Sequence, residues 1–535
     1  MRKLWLVGIC LLVGTVGITR IRAQASVVIS LTDYVTMPMT GSPTGTGNLG
    51  SLARINVLRE EPGGRGRFFV NDLNGPLYIL DKTSKALTTY LDFNGRDGKP
   101  GLFEKLPTAA GYANGLIGFQ FDPDYARSGV FYTIHLEEVT APGSAMPRSG
   151  SVPGLNLVGY ATTTPIRTPG TIERHAVVIE WTDTNLGNTT FEGTARELMR
   201  VELNTRIHPM GDMIFNPTAR PGDADWRVMY IGCGDGGSGE QSDIRRMNPQ
   251  RLDTMVGKIL RIIPDLALRT SSSTVSENGR YRVPNDNPFA HVSGARGEIW
   301  AYGLRNPHRL TWDVADATPS GNHLLTSSIG LHTWETVYVV RKGANYGYSE
   351  REGNERLQAD NTTTKIPTPD VIPVRVSDTV TNGSLTPRYP ALQYPHTATG
   401  GDGIVGGFVY RGRLLQALRG KFVFGDISTG KIWYADFQEM LSADDENPAT
   451  VAGIYEVGVE WAAPGSTART YPTMFPVVLS AYKARGGTDP DLPGSGEISG
   501  PGRADIRLAV DADGELYILS KVDGMIRRVV GATRR

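Results

Sequence analysis

Short apolar runs rich in β-branched and aromatic residues recur along this chain, each closed by a turn of Gly, Asp or Asn. Arg67-Phe68-Phe69-Val70-Asn71-Asp72 leads into Gly75-Pro76-Leu77-Tyr78-Ile79-Leu80. Gly129 to Ile134 and Trp226 to Ile231 are further runs, and Lys421 to Asp426 turns into Gly430 to Ala435. Near the end, Leu508-Ala509-Val510-Asp511-Ala512-Asp513-Gly514 feeds Glu515-Leu516-Tyr517-Ile518-Leu519. Runs of this length predict strands, and an Asp-x-Asp-Gly turn before an aromatic strand predicts a tight hairpin. No long amphipathic helical stretch interrupts the series, so the chain reads as all-β. Repetition over the whole length is the signature of a β-propeller. Its first and last strands, near Arg67 and Arg528, are expected to complete one blade jointly.

Three stretches break the rhythm. Residues 138–200, 352–400 and 462–503 are rich in Gly and Pro with Thr or Ser. They read as inserted loops on one rim, where specificity tends to sit.

Composition then narrows the setting. Met1-Arg2-Lys3, the apolar run Leu4 to Gly17 and Ala23-Gln24-Ala25 make residues 1–25 a signal peptide. An uncleaved N-terminal anchor is the alternative. A linker over 26–51 and a propeller over 52–535 follow, and the mature chain is expected to be secreted or periplasmic with no membrane span. Cys10 lies in the signal, which leaves Cys233 as a single thiol with no internal partner; it reads as buried and inert. No Cys-x-x-Cys-His haem site is present. Lys plus Arg and Asp plus Glu each total 55, a balance that argues against nucleic acid or an anionic membrane as the main partner.

The chemistry concentrates in two places. His208 reads as ending one strand, and Asp235 sits among Gly232, Gly234, Gly236 and Gly237 in a loop that ends the next, so the two can meet at one mouth of a propeller. A His beside a carboxylate is a general base with a fixed tautomer, and glycines packed this densely suggest close approach of backbone to a ligand. Further on, Arg305-Asn306-Pro307 presents a guanidinium and an amide together, a pair suited to an anionic or quinone oxygen.

Taken in order, these pieces resemble the glucose/sorbosone dehydrogenase family of soluble quinoproteins. Asn114 to Tyr125 is similar to the family's G-L-L-G-x-x-F-x-P-D-F block, and His208 to Phe215 to its H-x-x-G-x-L-x-F block. Gly234-Asp235-Gly236-Gly237, Gly257 to Ile262, Gly303 to Pro307, Lys342 to Tyr348 and Gly406 to Gly412 match later blocks. The resemblance runs from about residue 52 to 530 and implies a six-bladed propeller. It also implies pyrroloquinoline quinone held by Ca2+, a sugar or polyol-like substrate, and an external electron acceptor.

Carried over by position, His208 would take the substrate's hydroxyl proton and Asp235 would orient it. Arg305 and Asn306 would bond the quinone, with Asn114 and Arg503 as further cofactor contacts. The carbonyls of Gly330 and Leu331 would bind the metal. The chain departs from the family at Ala113, Ser428 and Ala504, where the soluble glucose dehydrogenases have Gln, Lys and Arg. Those departures suit a second reading, a non-catalytic carbohydrate- or protein-binding propeller. A calcium-dependent lactonase would need several convergent carboxylates or amides, and the sequence shows no such set.

Overall fold

The computed structural model describes residues 27–94, 101–104, 106–108, 114–140, 146–314 and 321–535. The expected signal peptide, with Cys10, and Ala113 lie outside the described residues. Among the described residues, no helix is long and apolar enough to cross a membrane, and strands dominate.

Antiparallel units of four strands follow one another along the chain. The first consists of Ile55–Glu60, Arg67–Asp72, Pro76–Asp81 and Leu87–Asp92. Leu116–Phe121, Val130–Glu138, Arg174–Asp183 and Glu192–Leu203 form the second, extended by the short parallel strand Gly154–Asn156. The third is Met210–Phe215, Met229–Cys233, Lys258–Ile262 and Ile299–Tyr302. The fourth is Asn306–Asp313, His323–Ile329, Trp334–Val339 and Leu392–Pro395.

Nine further strands share one sheet, and short two- and three-stranded sheets lie in the connections. Ile404–Val409, Lys421–Asp426, Ile432–Asp436 and Tyr455–Trp461 make one half. Ile506–Val510, Leu516–Ser520, Met525–Arg534 and Val27–Thr36 make the other. Arg469–Tyr471 pairs off Tyr455–Trp461. The first strand of each group lies beside the next in a cycle. Ile55–Glu60, Leu116–Phe121, Met210–Phe215, Asn306–Asp313, Ile404–Val409 and Ile506–Val510 neighbour one another in turn, and the last returns to Ile55–Glu60.

This packing explains why the inner runs are apolar throughout rather than alternating. Every residue of Arg67–Asp72 and of Met229–Cys233 is buried, because both faces are covered by neighbouring units. The turns behave as their sequence predicts. Asp72 Oδ1 accepts the amide of Asn74 at 2.8 Å, and Gly75 follows with φ 125°.

Three boundaries differ from the sequence reading. The segment 26–51, read as a linker, holds the ten-residue strand Val27–Thr36. That strand, not the one at Arg67, closes the last unit: it pairs antiparallel with Met525–Arg534 and parallel with Tyr455–Trp461. Its apolar start abuts the signal segment and has no turn of its own to announce it. Residues 138–200 and 352–400, read as inserted loops, supply regular strands: Arg174–Asp183 and Glu192–Leu203 in one, Leu392–Pro395 in the other. Their surroundings are rich in Thr, Gly and Pro, which masked runs as clear as Ala176 to Trp181. Residues 462–503 carry the helix Phe475–Ala484, whose Val477, Val478 and Tyr482 join the core of the joined sheet.

Ile29 is fully buried in the closing strand, level with Val459 on one side and Ala532 on the other. Ile29→Ala is expected to cost about 2–5 kcal/mol in urea unfolding, the usual range for such a truncation in a core. Val530→Ala, at a 41% exposed position, should stay within about 0.5 kcal/mol of the parent.

Candidate active site

The six first strands start around one cavity of about 240 Å³. Asn56, Ile117, Gly211, Asn306, Gly403 and Arg507 line it from the leading ends of those strands or just before them. His208, Arg305, Gly330, Leu331, Arg503 and Lys521 also line it, as do His308, Arg309, His396, Asp402 and Glu497.

His208 is placed by the glycine-rich loop. The amide of Gly236 donates to its carbonyl at 3.0 Å, and that of Gly234 donates to the Pro209 carbonyl at 3.0 Å. A Cβ on Gly234 would lie 2.4 Å from the His208 carbonyl oxygen, and one on Gly232 would lie 2.1 Å from that of Pro307. These two glycines therefore serve the approach of the chain to itself, and not the approach to a ligand that their density suggests. His208 itself has φ 50°, a left-handed conformation uncommon for a residue with a side chain.

Asp235 stands behind it, fully buried. Its Oδ1 accepts from the Gly237 amide at 2.9 Å and meets His208 Nδ1 at 2.8 Å, while Oδ2 accepts from the Gly239 amide at 2.9 Å. A carboxylate held as an acceptor puts the imidazole proton on Nδ1, which leaves the Nε2 lone pair to accept another.

Arg305 is tied to the same loop, since its carbonyl accepts the Asp235 amide at 2.7 Å. Its Nη2 donates to Glu240 and its Nη1 to the Gly330 carbonyl. Burial opposes the guanidinium charge, but Glu240, with Tyr348 and Asp235, more than offsets it and raises Arg305 above the ordinary arginine value. Burial likewise opposes the charge on Glu240, and Arg305 and His208 together hold it below the usual carboxylate range. Glu240 lies 3.9 Å from His208 Nδ1. The sequence reading missed this residue, whose only signal is its place in the glycine-rich loop.

Asn306 is buried, and its Oδ1 has no hydrogen-bond partner. Arg503 reaches the cavity as expected. Asn114 is fully buried but does not line the cavity, so the structure does not bring it together with the others. The spare histidines are otherwise engaged. His308 Nε2 lies 2.8 Å from the Ile404 carbonyl, His332 Nδ1 lies 2.9 Å from Glu497, and His396 bonds Glu335. Burial, with Arg309 and Arg507 beside it, pushes the His308 imidazole well below its ordinary value.

Two groups can be tested for fit. A polycarboxylate quinone suits a wall on which the cations Arg305, Arg309, Arg503, Arg507 and Lys521 outnumber the carboxylates Asp402 and Glu497, and the unpartnered Asn306 Oδ1 is an acceptor open to a donor of the ligand. Arg507 and Lys521 are basic residues the sequence reading did not single out. A calcium ion at Gly330 and Leu331 does not fit as the side chains stand. The Gly330 carbonyl already accepts from a guanidinium, which would repel the ion. Among the described residues, no group of three His, Cys, Asp or Glu could hold a metal.

Fold and site define an all-β protein whose cavity wall carries an imidazole, backed by a buried carboxylate, and more basic than acidic side chains. The chain belongs to the Glucose / Sorbosone dehydrogenase family, whose sequence model matches residues 62–451. Among curated relatives, HIPL1 protein of Arabidopsis thaliana is 26% identical over 338 residues, covering 60% of this chain and 43% of that protein. Human Hedgehog-interacting protein is 23% identical over 365 residues, covering 68% of this chain and 39% of its own length. The chain thus spans less than half the length of either. Among solved structures, the soluble aldose sugar dehydrogenase of Escherichia coli in its apo-form has a similar fold, with a TM-score of 0.51 at 16% identity. That match covers 91% of this chain and 97% of that one.

Cys233 is fully buried, and burial pushes its thiol up to about 12 despite Lys258 nearby. A maleimide added to native protein at pH 8 should leave it unlabelled, and labelling should become complete in denaturant.

Proposed function

We propose that the protein is an exported, quinone-dependent dehydrogenase of a sugar or polyol-like alcohol, built as a six-bladed propeller. The six groups of four strands, with their first strands in a cycle, support the blade count. The cationic start, apolar run and Ala23-Gln24-Ala25 support export. One observation carries the activity: His208, backed by buried Asp235, faces the same cavity as Arg305.

His208 Nε2 accepts the proton of the substrate hydroxyl as the hydrogen on the same carbon leaves with its electron pair, and a carbonyl results. Asp235 stabilises the imidazolium that forms. Arg305, Asn306 and Arg503 are the residues that would hold pyrroloquinoline quinone, and Arg305 places positive charge where an oxygen becomes anionic. The quinone, when bound, supplies the two-electron acceptor. No step here needs calcium. Electrons then leave to a separate acceptor, since the sequence holds no second redox motif.

The binding-module reading draws support from the relatives, one of which is named for interaction with a protein. The two readings separate in one assay. Protein reconstituted with quinone should reduce an artificial dye with some member of a panel of aldoses and polyols. His208→Ala should lower kcat by about 10²–10⁴ with the circular dichroism spectrum unchanged, and Asp235→Asn should lower it less. A silent panel, with no quinone retained through desalting, would favour the binding module. N-terminal sequencing of exported protein should begin near residue 26; a start at Met1 would contradict cleavage.

A further inference from the structure

Two lysines are buried beside the site's machinery, and they are treated differently. Lys258 Nζ donates to three carbonyls, those of Asn248, Pro249 and Val256, at 3.1, 2.9 and 2.7 Å. Such a lysine is structural, with every proton of its ammonium group taken. Lys521 is as deeply buried, at 2% exposed, and it lines the cavity. Its ammonium has no hydrogen-bond acceptor among the described residues, and its ion-pair partner, Asp505 Oδ1, is 3.7 Å away.

Asp505 is shared. Arg507 Nη1 lies 3.0 Å from the same oxygen and Arg503 Nη2 lies 4.0 Å from it. Lys521 and Arg507 thus share one carboxylate oxygen, with Lys521 the more distant of the two, and buried charge without a close counter-charge is costly. Burial, reinforced by Arg507, pushes the Lys521 ammonium well below the ordinary lysine value. Arg507 is brought down to about 10, by burial first and with Arg309 and Arg503 adding to it, although Asp505 opposes the shift. The backbone is also constrained here, since Asp505 has φ 42°.

Lys521 stands where a cation is missing. Its amide donates to the Asp505 carbonyl at 3.1 Å, and the Ser520 hydroxyl donates to the Ala504 carbonyl at 2.8 Å. The residue therefore sits at the start of the turn after Leu516–Ser520, beside Ala504, the position at which the soluble glucose dehydrogenases have an arginine. Arg507 cannot replace that arginine alone, because its Nε is bonded to Asn56 Oδ1 at 3.0 Å and its Nη1 to the Ile506 carbonyl at 2.6 Å.

We propose that Lys521, seconded by Arg507, is an anion subsite of the cavity that takes a carboxylate of the bound ligand. The inference rests on the quinone-dependent reading and supplies the charge that Ala504 and Ser428 do not. It concerns this chain's own wall: the lost arginine is compensated from the turn after Leu516–Ser520 rather than at its own position.

The test is a binding titration on the full protein, followed by tryptophan fluorescence. The probes are pyrroloquinoline quinone, its trimethyl ester and benzene-1,3,5-tricarboxylate. Lys521→Met should weaken quinone binding about ten- to hundredfold, the worth of one charge-assisted hydrogen bond. Lys521→Arg should bind within a few-fold of the parent, and exposed Lys365→Met should match it. The trimethyl ester should bind the parent and Lys521→Met alike. Without ligand, Lys521→Met should melt at or above the parent, because it removes a poorly partnered buried charge.

A parent that binds quinone with Lys521→Met within threefold of it would overturn the subsite and leave the quinone reading standing. A melting temperature that falls, or a variant that fails to fold, would mark the lysine as a structural partner of Asp505 and overturn it too. Tricarboxylate binding that depends on Lys521, in a parent that ignores quinone, would uphold the subsite and remove the quinone reading. Binding of neither anion would remove both.

Discussion

Val27–Thr36 is hydrogen-bonded along both edges, to Met525–Arg534 on one side and Tyr455–Trp461 on the other. The rest of the molecule depends on that pairing. With one cysteine in the described chain, no disulfide can hold the ends, so the sheet itself must. The seam also carries charge. Fully buried Arg527 reaches Asp33 at 3.1 Å and Asp523 at 2.7 Å, which joins the first strand to the last turn. Both faces of nearly every first strand are covered only because the cycle closes.

The cavity inherits its geometry from this closure. Arg507 comes from the last unit and Asn56 from the first, yet they share a hydrogen bond across the closing seam. The other wall is built from one local knot: the loop at 232–239 grips the His208 segment, orients its imidazole through Asp235, and takes the Arg305 carbonyl. One side of the cavity is thus set by short-range turn chemistry, and the opposite side by contacts between residues hundreds of positions apart.

That division decides what was legible in the sequence. His208, Asp235, Arg305 and Asn306 sit in linear blocks whose spacing is fixed by turns, and the structure places His208, Arg305 and Asn306 on one cavity wall with Asp235 behind. The all-β class was legible for the same reason, since each strand and its turn are contiguous. Lys521 and Arg507 were not, because their meeting depends on the register of two strands and on where the cycle closes. Glu240 was hidden differently: a lone carboxylate in a glycine-rich loop looks like a turn residue until Arg305 is seen to reach it. Val27–Thr36 was overlooked because its partners lie more than four hundred residues away, beyond any local pattern. Asn114 differs again: it belongs to a well-matched block and is fully buried with its side-chain amide unpartnered, yet it is not among the residues that line the cavity.

The seam between the two ends also sets an order in time. A ribosome makes residue 27 long before its partner at residue 534, and at roughly 5–20 residues per second Val27–Thr36 waits roughly half a minute or more for its partner. Until then Val27–Thr36 is an unpaired apolar edge, open to wrong partners. Units between the two can form as they emerge, but Val27–Thr36 can be sealed only after Met525–Arg534 has been made. Whatever escorts this chain must therefore shield Val27–Thr36 until Met525–Arg534 is available.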